Sequence, residues 1–402
     1  MRILVGTDMH EDWDSLKAYT SFGRHREHDC FILLGDLGNG ALEGKDLENF
    51  HKKKRAVANY LYRDVQRRDW LYGLGLSYYQ MERSLPIVAR DLSKRRATPK
   101  LLKAELEQYL LAIDLAYNNM LDKYVKVRYH IEGLDAITIP GNHDTDFSTT
   151  MLEDIDLHLK SKEINGLKIA GYGGAAAVDY SSQEFAIPMT IYNFPLEISA
   201  GFEERVERDS NDNIGRIVSE AGEHFRKEKP DIALLHNPVY GIGDRVLQRD
   251  NEGKPMQDKE GNLLTEHSGS RGLLDYALDG ISKLIISGHI HESPEVRAIE
   301  ARNGNIVTVI NPGPLGETER RKYIKVQGTQ TLTQDKILTP TLDDNIWGGR
   351  FMELNLDEER NFKSGRLYQI MDTKDPKDVY IIASYYLDGK NIKEMKLAQR
   401  FY

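Results

Sequence analysis

The sequence predicts a layered α/β fold, and three features carry that prediction. Residues 2–5 and 31–34 are short apolar runs of the kind that form buried parallel strands. Each run stops at a glycine, Gly6 or Gly35, as such strands often do. Between the two runs Leu16, Tyr19 and Phe22 recur at helical spacing. Alternation of strand and helix is typical of sheets covered by helices.

The same alternation continues through the chain. Further strands are predicted at residues 136–139, 167–170, 232–235, 284–287 and 307–310. Helices are predicted around residues 149–159, 214–225 and 272–281, and the polar stretch 244–268 is predicted to be a long loop or hairpin. These elements would form one α/β core.

Composition restricts the class of protein. The chain has 402 residues, of which 40% are hydrophobic and 29% charged, as in soluble globular proteins. No apolar run approaches the ~20 residues that span a bilayer, so no membrane partner is expected. The one cysteine, Cys30, lies in a predicted strand and cannot form an internal disulfide. A reducing, cytoplasmic setting is the expectation.

The segment 45–128 differs from the rest. Over residues 45–130 there are 18 Lys/Arg and 10 Asp/Glu, which leaves −17 for the remainder of a chain whose net charge is −9. An apolar stripe at three- and four-residue steps predicts long helices: Leu102, Leu106, Tyr109, Ile113, Ala116 and Met120. The stripe could pack within the chain or form an oligomer contact. The basic clusters 51–55 and 94–96 could be solvated faces or a positive rim for phosphate-rich ligands.

Beyond residue 328 the pattern changes again. Residues 351–356, 367–370 and 379–383 alternate between apolar and polar side chains, as half-buried antiparallel strands do. A small β-rich C-terminal extension is therefore predicted over 328–402.

Five predicted strands end in side chains that can bind a metal. They are Asp8 with His10, Asp36, Asn142 with His143, His236, and His289 with His291. Any one of them could be a structural residue, but chance is a poor explanation for the whole set. Carboxylate, imidazole and amide ligands without a thiolate suit Mn²⁺, Fe or Zn²⁺. The set is too large for one ion and sufficient for two ions that share a carboxylate.

These residues, in their order, resemble the motifs of the calcineurin-like metallophosphoesterase superfamily. The matching motifs are Asp8-Met9-His10, Gly35-Asp36, Gly141-Asn142-His143-Asp144, His236 and Gly288-His289-Ile290-His291. Within it, residues 237–241, Asp244, 267–270 and 311–313 look like the Icc-type prokaryotic phosphoesterases. The resemblance covers roughly 1–42, 134–180 and 228–327.

The resemblance implies a four-layer αββα sandwich with an inserted helical cap and the C-terminal extension. The core would comprise residues 1–44 and 129–327, and the cap 45–128. It implies two divalent metal ions, with Mn²⁺ the first choice and Fe or Zn²⁺ the alternatives. By motif position, Asp8, His10 and His291 would hold one ion, Asn142, His236 and His289 would hold the other, and Asp36 would bridge them.

The implied activity is hydrolysis of a phosphomonoester or phosphodiester by a metal-bridging hydroxide. His143 would serve as the general acid, and Asp144 would either orient His143 or cap a following helix. His267 is a candidate substrate-binding residue at the pocket mouth. The cap would shape substrate access.

Two other functions stay open on the sequence alone. The basic cap could make the protein a nuclease that acts on DNA or RNA. The fold could also serve as a non-catalytic binding scaffold, although no expected ligand is missing. Substrate identity and oligomeric state are not predicted.

Overall fold

A computed structural model describes residues 1–38, 41–42, 44–62, 85, 88–96, 98, 100–178, 185–188, 204–208, 214–248, 250, 256–316, 349–370 and 379–401. Among its helices are α1 (Trp13–Arg26), α2 (Gly44–Tyr62), α3 (Lys100–Ile131), α4 (Glu220–Glu228) and α5 (Arg271–Asp279), with a 3₁₀ turn at Phe147–Thr149. None of these described helices is both long and apolar enough to cross a bilayer.

The described strands number nineteen. In the first half of the chain they are β1 (Arg2–Thr7), β2 (Cys30–Leu34), β3 (Ala136–Ile139), β4 (Lys160–Ile164), β5 (Leu167–Tyr172), β6 (Ala176–Val178) and β7 (Phe185–Pro188). They continue with β8 (Glu204–Arg208), β9 (Ile214–Ser219), β10 (Ile232–Leu235), β11 (Arg245–Leu247), β12 (Thr265–His267), β13 (Leu284–Ile286), β14 (Glu295–Glu300) and β15 (Ile306–Asn311). The last four are β16 (Arg350–Leu356), β17 (Phe362–Ile370), β18 (Val379–Asp388) and β19 (Asn391–Phe401).

The first sheet has seven strands in the order β19-β18-β17-β16-β1-β2-β3. Strands β1, β2 and β3 are parallel, whereas β16 pairs antiparallel with β1 and places Asn355 opposite Arg2. The predicted antiparallel strands of the C-terminal segment are therefore part of the core sheet. They complete the free edge of β1, which a separate extension would have left unpaired. The predicted boundary at residue 328 lies outside the described residues.

The second sheet has six strands in the order β14-β15-β13-β10-β5-β4. Its four inner strands are parallel. Smaller sheets are formed by β6 to β9 and by the β11–β12 hairpin. The hairpin lies in the stretch predicted to be a loop or hairpin.

Three apolar clusters show how these elements pack. One contains side chains of both sheets, among them Ile3, Ile32, Ile232 and Ile286. A second joins the first sheet to α1, α2 and α3, with Leu4, Phe31, Tyr19, Phe50 and Met120 among its members. A third joins the second sheet to α4 and α5, with Ala233, Ile285, Phe225 and Tyr276 among its members. Neighbours along β1 and β2 alternate between the first two clusters, as side chains on a strand must.

The apolar stripe of the insertion faces the molecule's own core. Leu106, Tyr109, Ile113, Ala116 and Met120 are all buried on α3, and they belong to the cluster that contains α1 and α2. The rings of Phe50 on α2 and Tyr109 on α3 stack with centroids 5.8 Å apart. The stripe therefore packs within the chain.

Two predicted helices are wrong in part. Residues 149–159 were predicted helical, but only the Phe147–Thr149 turn is, and Ile155 and Leu157 instead bond to both sides of Thr138 on β3. That pairing uses their backbone groups in a strand-like bridge. In the 214–225 segment, β9 occupies the first six residues, and α4 begins only after Ser219, whose side chain accepts a hydrogen bond from Gly222 N.

Candidate metal centre

Five parallel strands bring the predicted ligands to one end of the two sheets. Asp8 directly follows β1, and Asp36 and Asn142 come within three residues of the ends of β2 and β3. His236 directly follows β10, and His289 follows β13 by three residues. Ligand sites of α/β proteins form at the carboxyl ends of parallel strands.

The first group of possible metal ligands is Asp8, His10 and His291, whose ligand atoms all lie within 4.8 Å of one another. His10 Nε2 and His291 Nε2 are 3.2 Å apart. Asp8 Oδ1 is 3.5 Å from His291 Nε2. Asp8 is 1% exposed, so its carboxylate faces these imidazoles instead of water.

The second group is Asp36, His236 and His289, within the same limit of 4.8 Å. Asn142 joins it, because its side-chain oxygen lies 2.7 Å from His236 Nε2. The rings of His236 and His289 have centroids 5.0 Å apart.

Asp36 lies between the two groups. Its Oδ2 is 3.4 Å from His236 Nε2 in the second group and 3.8 Å from His10 Nε2 in the first. Its Oδ1 accepts a hydrogen bond from the backbone N–H of His143, at 2.7 Å. One carboxylate therefore reaches both groups and the loop after β3.

The backbone around the centre is held in an uncommon conformation. Four residues of the centre have φ between 47° and 68°, a left-handed conformation that residues other than glycine seldom adopt: Asp8, His10, Asp36 and His289. Such residues persist where surrounding contacts fix them, and they concentrate at functional sites. Here the Asp8 carboxylate accepts from the backbone N–H of His289, 3.0 Å to each oxygen.

Burial and mutual charge set the pKa values of the centre. Burial lowers the pKa of His10 to about 4 and that of His289 to about 3. For His236 burial acts in the same direction, but the Asp36 charge and hydrogen bond outweigh it and raise the pKa to about 9. Burial alone would raise the pKa of Asp36, whereas His236 and His143 hold it well below its usual range.

The donor set fits divalent cations. At a separation of 3.2 Å, His10 Nε2 and His291 Nε2 can share one proton at most, while a cation between them would be bound by both lone pairs. His236 Nδ1 is buried, and no described residue hydrogen-bonds to it. Two carboxylates, four imidazoles and an amide oxygen, mostly buried, would be costly without a positive charge to compensate them.

His143 lies beside the centre without belonging to either group. Its ring is edge-on to that of His10, with centroids 5.4 Å apart. Its Nδ1 is buried and has no hydrogen-bond partner in the part of the chain that the structure describes.

Asp144 has neither of the two contacts considered for it from the sequence. Its carboxylate accepts from the backbone N–H groups of Gly141 at 2.9 Å, Leu37 at 3.1 Å and Gly38 at 3.2 Å. The next turn is capped by Asp146, which accepts from Ser148 N. Burial, and then the charge of Asp36, raise the pKa of Asp144 to about 7. Asp144 thus connects the loops after β2 and β3.

Tyr124 is a residue of this site that the sequence did not single out. Its hydroxyl donates to Asp144 Oδ1 at 3.3 Å and accepts from Thr145 N at 2.8 Å. The signal was present, because Tyr124 continues the buried stripe of α3 four residues beyond Met120.

His267 lies on β12, and its Nδ1 is 2.7 Å from Oδ1 of the buried Asp244. The other oxygen of Asp244 accepts from Gly241 N at 2.8 Å and Gly269 N at 3.1 Å. Asn311 connects this loop to the metal centre, since its Nδ2 donates to Gly243 O at 2.8 Å and to Ile290 O at 2.9 Å. Ile290 stands between His289 and His291.

The chain matches no protein-family model and no curated protein. It is similar to several solved structures, among them a dimetal phosphatase from Danio rerio, with 10% identity, a TM-score of 0.37 and coverage of 91% of this chain and 95% of that one. A purple acid phosphatase from yellow lupin seeds has 12% identity, a TM-score of 0.34 and coverage of 96% and 53%. The NAD nucleotidase of Haemophilus influenzae has 9% identity, a TM-score of 0.31 and coverage of 99% and 54%. TM-scores this low establish no common fold, and the side chains described above are what define this candidate metal centre.

Proposed function

We propose that the protein is a metal-dependent hydrolase of phosphate esters with two divalent ions. The observation that carries this proposal is the pair of His/Asp groups with Asp36 between them. Two cations that share a carboxylate are the arrangement that serves displacement at phosphorus.

Asp8, His10 and His291 would hold one ion, and Asn142, His236 and His289 the other, with Asp36 in contact with both. Mn²⁺ is the first choice, and Fe or Zn²⁺ would suit the same ligands. When bound, such ions neutralise charge on a phosphoryl group and lower the pKa of water, which makes it a nucleophile at neutral pH.

His143 is the residue that would move a proton. Its ring lies beside that of His10 and belongs to neither candidate ligand group, which supports a role next to the metals and not as a ligand. In this position it would donate a proton to the leaving oxygen of the ester. The hydrogen bond from the backbone N–H of His143 to Asp36 positions the backbone of this residue beside the centre.

His267 would bind the part of the substrate farther from phosphorus. The buried Asp244 carboxylate orients the ring through Nδ1, while the side chain is 30% exposed. Tyr240 lies 5.1 Å from the His267 ring, and the Arg271 guanidinium is 4.4 Å from the Tyr240 ring centroid. The Arg271 guanidinium beside these rings would suit a substrate group that is anionic or aromatic.

The architecture that accompanies this proposal is the four-layer αββα sandwich. The three apolar clusters support it, because one lies between the sheets and the other two lie between a sheet and helices. Residues 1–44 and 129–327 would form its core, with strands β16 to β19 completing the first sheet and residues 45–128 inserted.

The test is metal reconstitution of the full-length chain. After removal of metal with a chelator, the protein is loaded with Mn²⁺, Fe²⁺ or Zn²⁺, the bound ions are counted, and hydrolysis of p-nitrophenyl phosphate and bis-p-nitrophenyl phosphate is measured. We expect two ions per chain and hydrolysis of at least one ester. A loaded protein that cleaves neither would overturn the proposal, and a chain that retains no ion would favour a binding scaffold.

The same protein tests the nuclease alternative. Lys94, Arg95 and Arg96 are exposed, but Arg95 already pairs with Asp91, so the cluster offers less free charge than the sequence implied. A nuclease would bind DNA or RNA with an affinity that falls steeply as salt rises. Absence of binding at low salt would remove this alternative.

A further inference from the structure

We propose that Tyr124, on the long helix of the insertion, is a positioning residue of the metal centre. The insertion would then be a structural support of the site as well as a cap over it. This inference rests on the proposed function for its purpose, but its contacts and its test concern metal binding alone.

The first step is the hydroxyl of Tyr124. The side chain is completely buried, with its ring edge-on to Phe147 at 5.0 Å. Its oxygen accepts from the backbone N–H of Thr145 at 2.8 Å and from the Thr145 hydroxyl at 3.3 Å, and it donates to Asp144 at 3.3 Å. Thr145 N and the Asp144 carboxylate are also buried, so water does not readily replace these bonds.

The second step is the Asp144 carboxylate. It accepts from backbone N–H groups of Leu37 and Gly38 in the loop after β2, and from Gly141 in the loop after β3. Those loops carry Asp36 and Asn142. Tyr124 therefore positions the Asp144 carboxylate, and that carboxylate fixes the two loops. The positions of Asp36 and Asn142, two candidate ligands of the second group, depend on those loops.

The third step is the path of α3 past the centre. Near Tyr124, Lys123 forms an ion pair with Glu11, the residue after His10. Asn119 donates from Nδ2 to Ala41 O at 3.0 Å, and Met120 packs so closely on Gly38 that a Cβ there would lie 2.8 Å from its Cε. The helix thus contacts loops that follow β1, β2 and β3 on one side of the centre.

The experiment compares Tyr124→Phe with Tyr117→Phe. Tyr117 lies two turns earlier on α3, and its hydroxyl is 2.6 Å from Thr149 Oγ1, outside the Asp144 network. Each variant loses one hydroxyl and keeps its ring. Affinity for Mn²⁺ and for Zn²⁺ is measured on the full-length chain by competition with a chromogenic chelator, and circular dichroism checks the fold.

We expect Tyr124→Phe to weaken binding of at least one ion by ~10–100-fold, the usual effect of losing a residue that orients ligands. Tyr117→Phe should bind metal like the wild type. Should Tyr124→Phe fail to fold, Lys123→Met provides the second test and should weaken binding by several-fold. Wild-type affinity in the folded Tyr124→Phe variant, or in Lys123→Met where Tyr124→Phe does not fold, would overturn the inference.

The outcome is distinct from that of the proposed function. A wild-type chain that binds two ions and cleaves no ester would end the phosphoesterase proposal, while the Tyr124 comparison would still be decided by metal affinity. A wild-type chain that binds no metal would overturn both.

Discussion

Gly35 is a glycine of the centre that has no room for a side chain. Its φ is +59°, and a Cβ there would meet His236 Nδ1 at 2.4 Å and Gly141 Cα at 2.6 Å. Gly133 has a similar left-handed conformation, with φ at +75°, but an added Cβ would meet nothing within 4 Å. A comparison of substitutions at Gly35 and Gly133 therefore distinguishes the effect of backbone strain from the effect of a steric clash.

We expect Gly35→Ala to lose metal binding and Gly133→Ala to keep it. Both substitutions carry the strain of a left-handed alanine, about 1–2 kcal/mol in the free energy of unfolding. Only Gly35→Ala also displaces His236 or the loop after β3. Chemical denaturation and metal titration measure the two effects, and equal metal affinity in both variants would contradict the expected role of Gly35.

Variants of the proposed metal ligands and of the proposed general acid should differ in whether they lose metal or only activity. Asp36→Asn and His289→Ala are expected to lose metal and all activity, because each removes a ligand. His143→Ala should keep both ions and lose ~10²–10⁴-fold in kcat, the range for a general acid. Metal content and turnover are measured on the same preparations. Loss of metal from His143→Ala would mean that His143 is a ligand.

Asp156 gives the protein a pH dependence apart from the metal centre. Burial raises the pKa of this carboxyl from 3.8 to about 6. The folded state then holds its proton up to about pH 6, while the unfolded chain releases it near pH 4. Stability therefore falls as pH rises between these values.

Asp156→Asn should remove the fall in stability with rising pH, because asparagine has no carboxyl to ionise. Its side-chain oxygen still accepts the hydrogen bond from the N–H of His158. Compared with the wild type, we expect a gain of order 2 kcal/mol in the free energy of unfolding at pH 8. The gain should vanish near pH 4. A gain that is equal at both pH values would show that ionisation of Asp156 is not its cause.

Among the elements, the C-terminal strands are where the structure adds most to what the sequence predicted. Their alternating pattern predicted antiparallel strands, and β16, β17 and β18 confirm it. Their place beside β1 was not predictable, because alternation indicates which side chains are buried but not which strand is the neighbour. Helix α3 shows the same limit. Its buried stripe was visible in the sequence, but the contact of Tyr124 with Asp144 joins the helix to the loop after β3, and no local pattern predicts such a contact.

Truncation distinguishes the edge strand from the inner one. Removing residues 391–402 takes away β19, which only β18 pairs within the first sheet, so the protein should fold with reduced stability. Removing residues 350–402 exposes the edge of β1 and uncovers Tyr19 and Phe22 of α1, whose rings contact Phe351 and Tyr368 in the intact chain, so cooperative unfolding should be lost. Thermal unfolding followed by circular dichroism measures both. A cooperative transition in the longer truncation would place β16 outside the core.

Across the whole molecule, the strand ends were the most predictable part. Apolar runs that stop at glycine and are followed by Asp or His predicted the positions of the candidate ligands, because buried strands and metal-binding side chains each have a local signature. Asp144 was predicted less well, since a carboxylate that binds backbone N–H groups of distant loops leaves no mark on its own neighbourhood.

The insertion is expected to be required for folding. Its buried residues belong to the same apolar cluster as α1 and the first sheet, so deletion of 45–128 would expose that face. We expect a deletion variant that is aggregated or lacks a cooperative thermal transition, measured by size-exclusion chromatography and calorimetry. A soluble variant with normal metal affinity would show instead that the insertion is a separable cap.

The pairing of β1 also has a consequence for synthesis on the ribosome. Asp8 and His10 follow β1, but the antiparallel partner of β1 begins only at Arg350, and Leu315 N bonds to Thr7 O. At a synthesis rate of ~5–20 residues per second, β1 is made roughly 20–70 s before that partner strand. The candidate ligands Asp8 and His10 can bond to residues 34–36 early, but Asp8 acquires its contact with His289 only late in synthesis, so metals would enter a nearly finished chain.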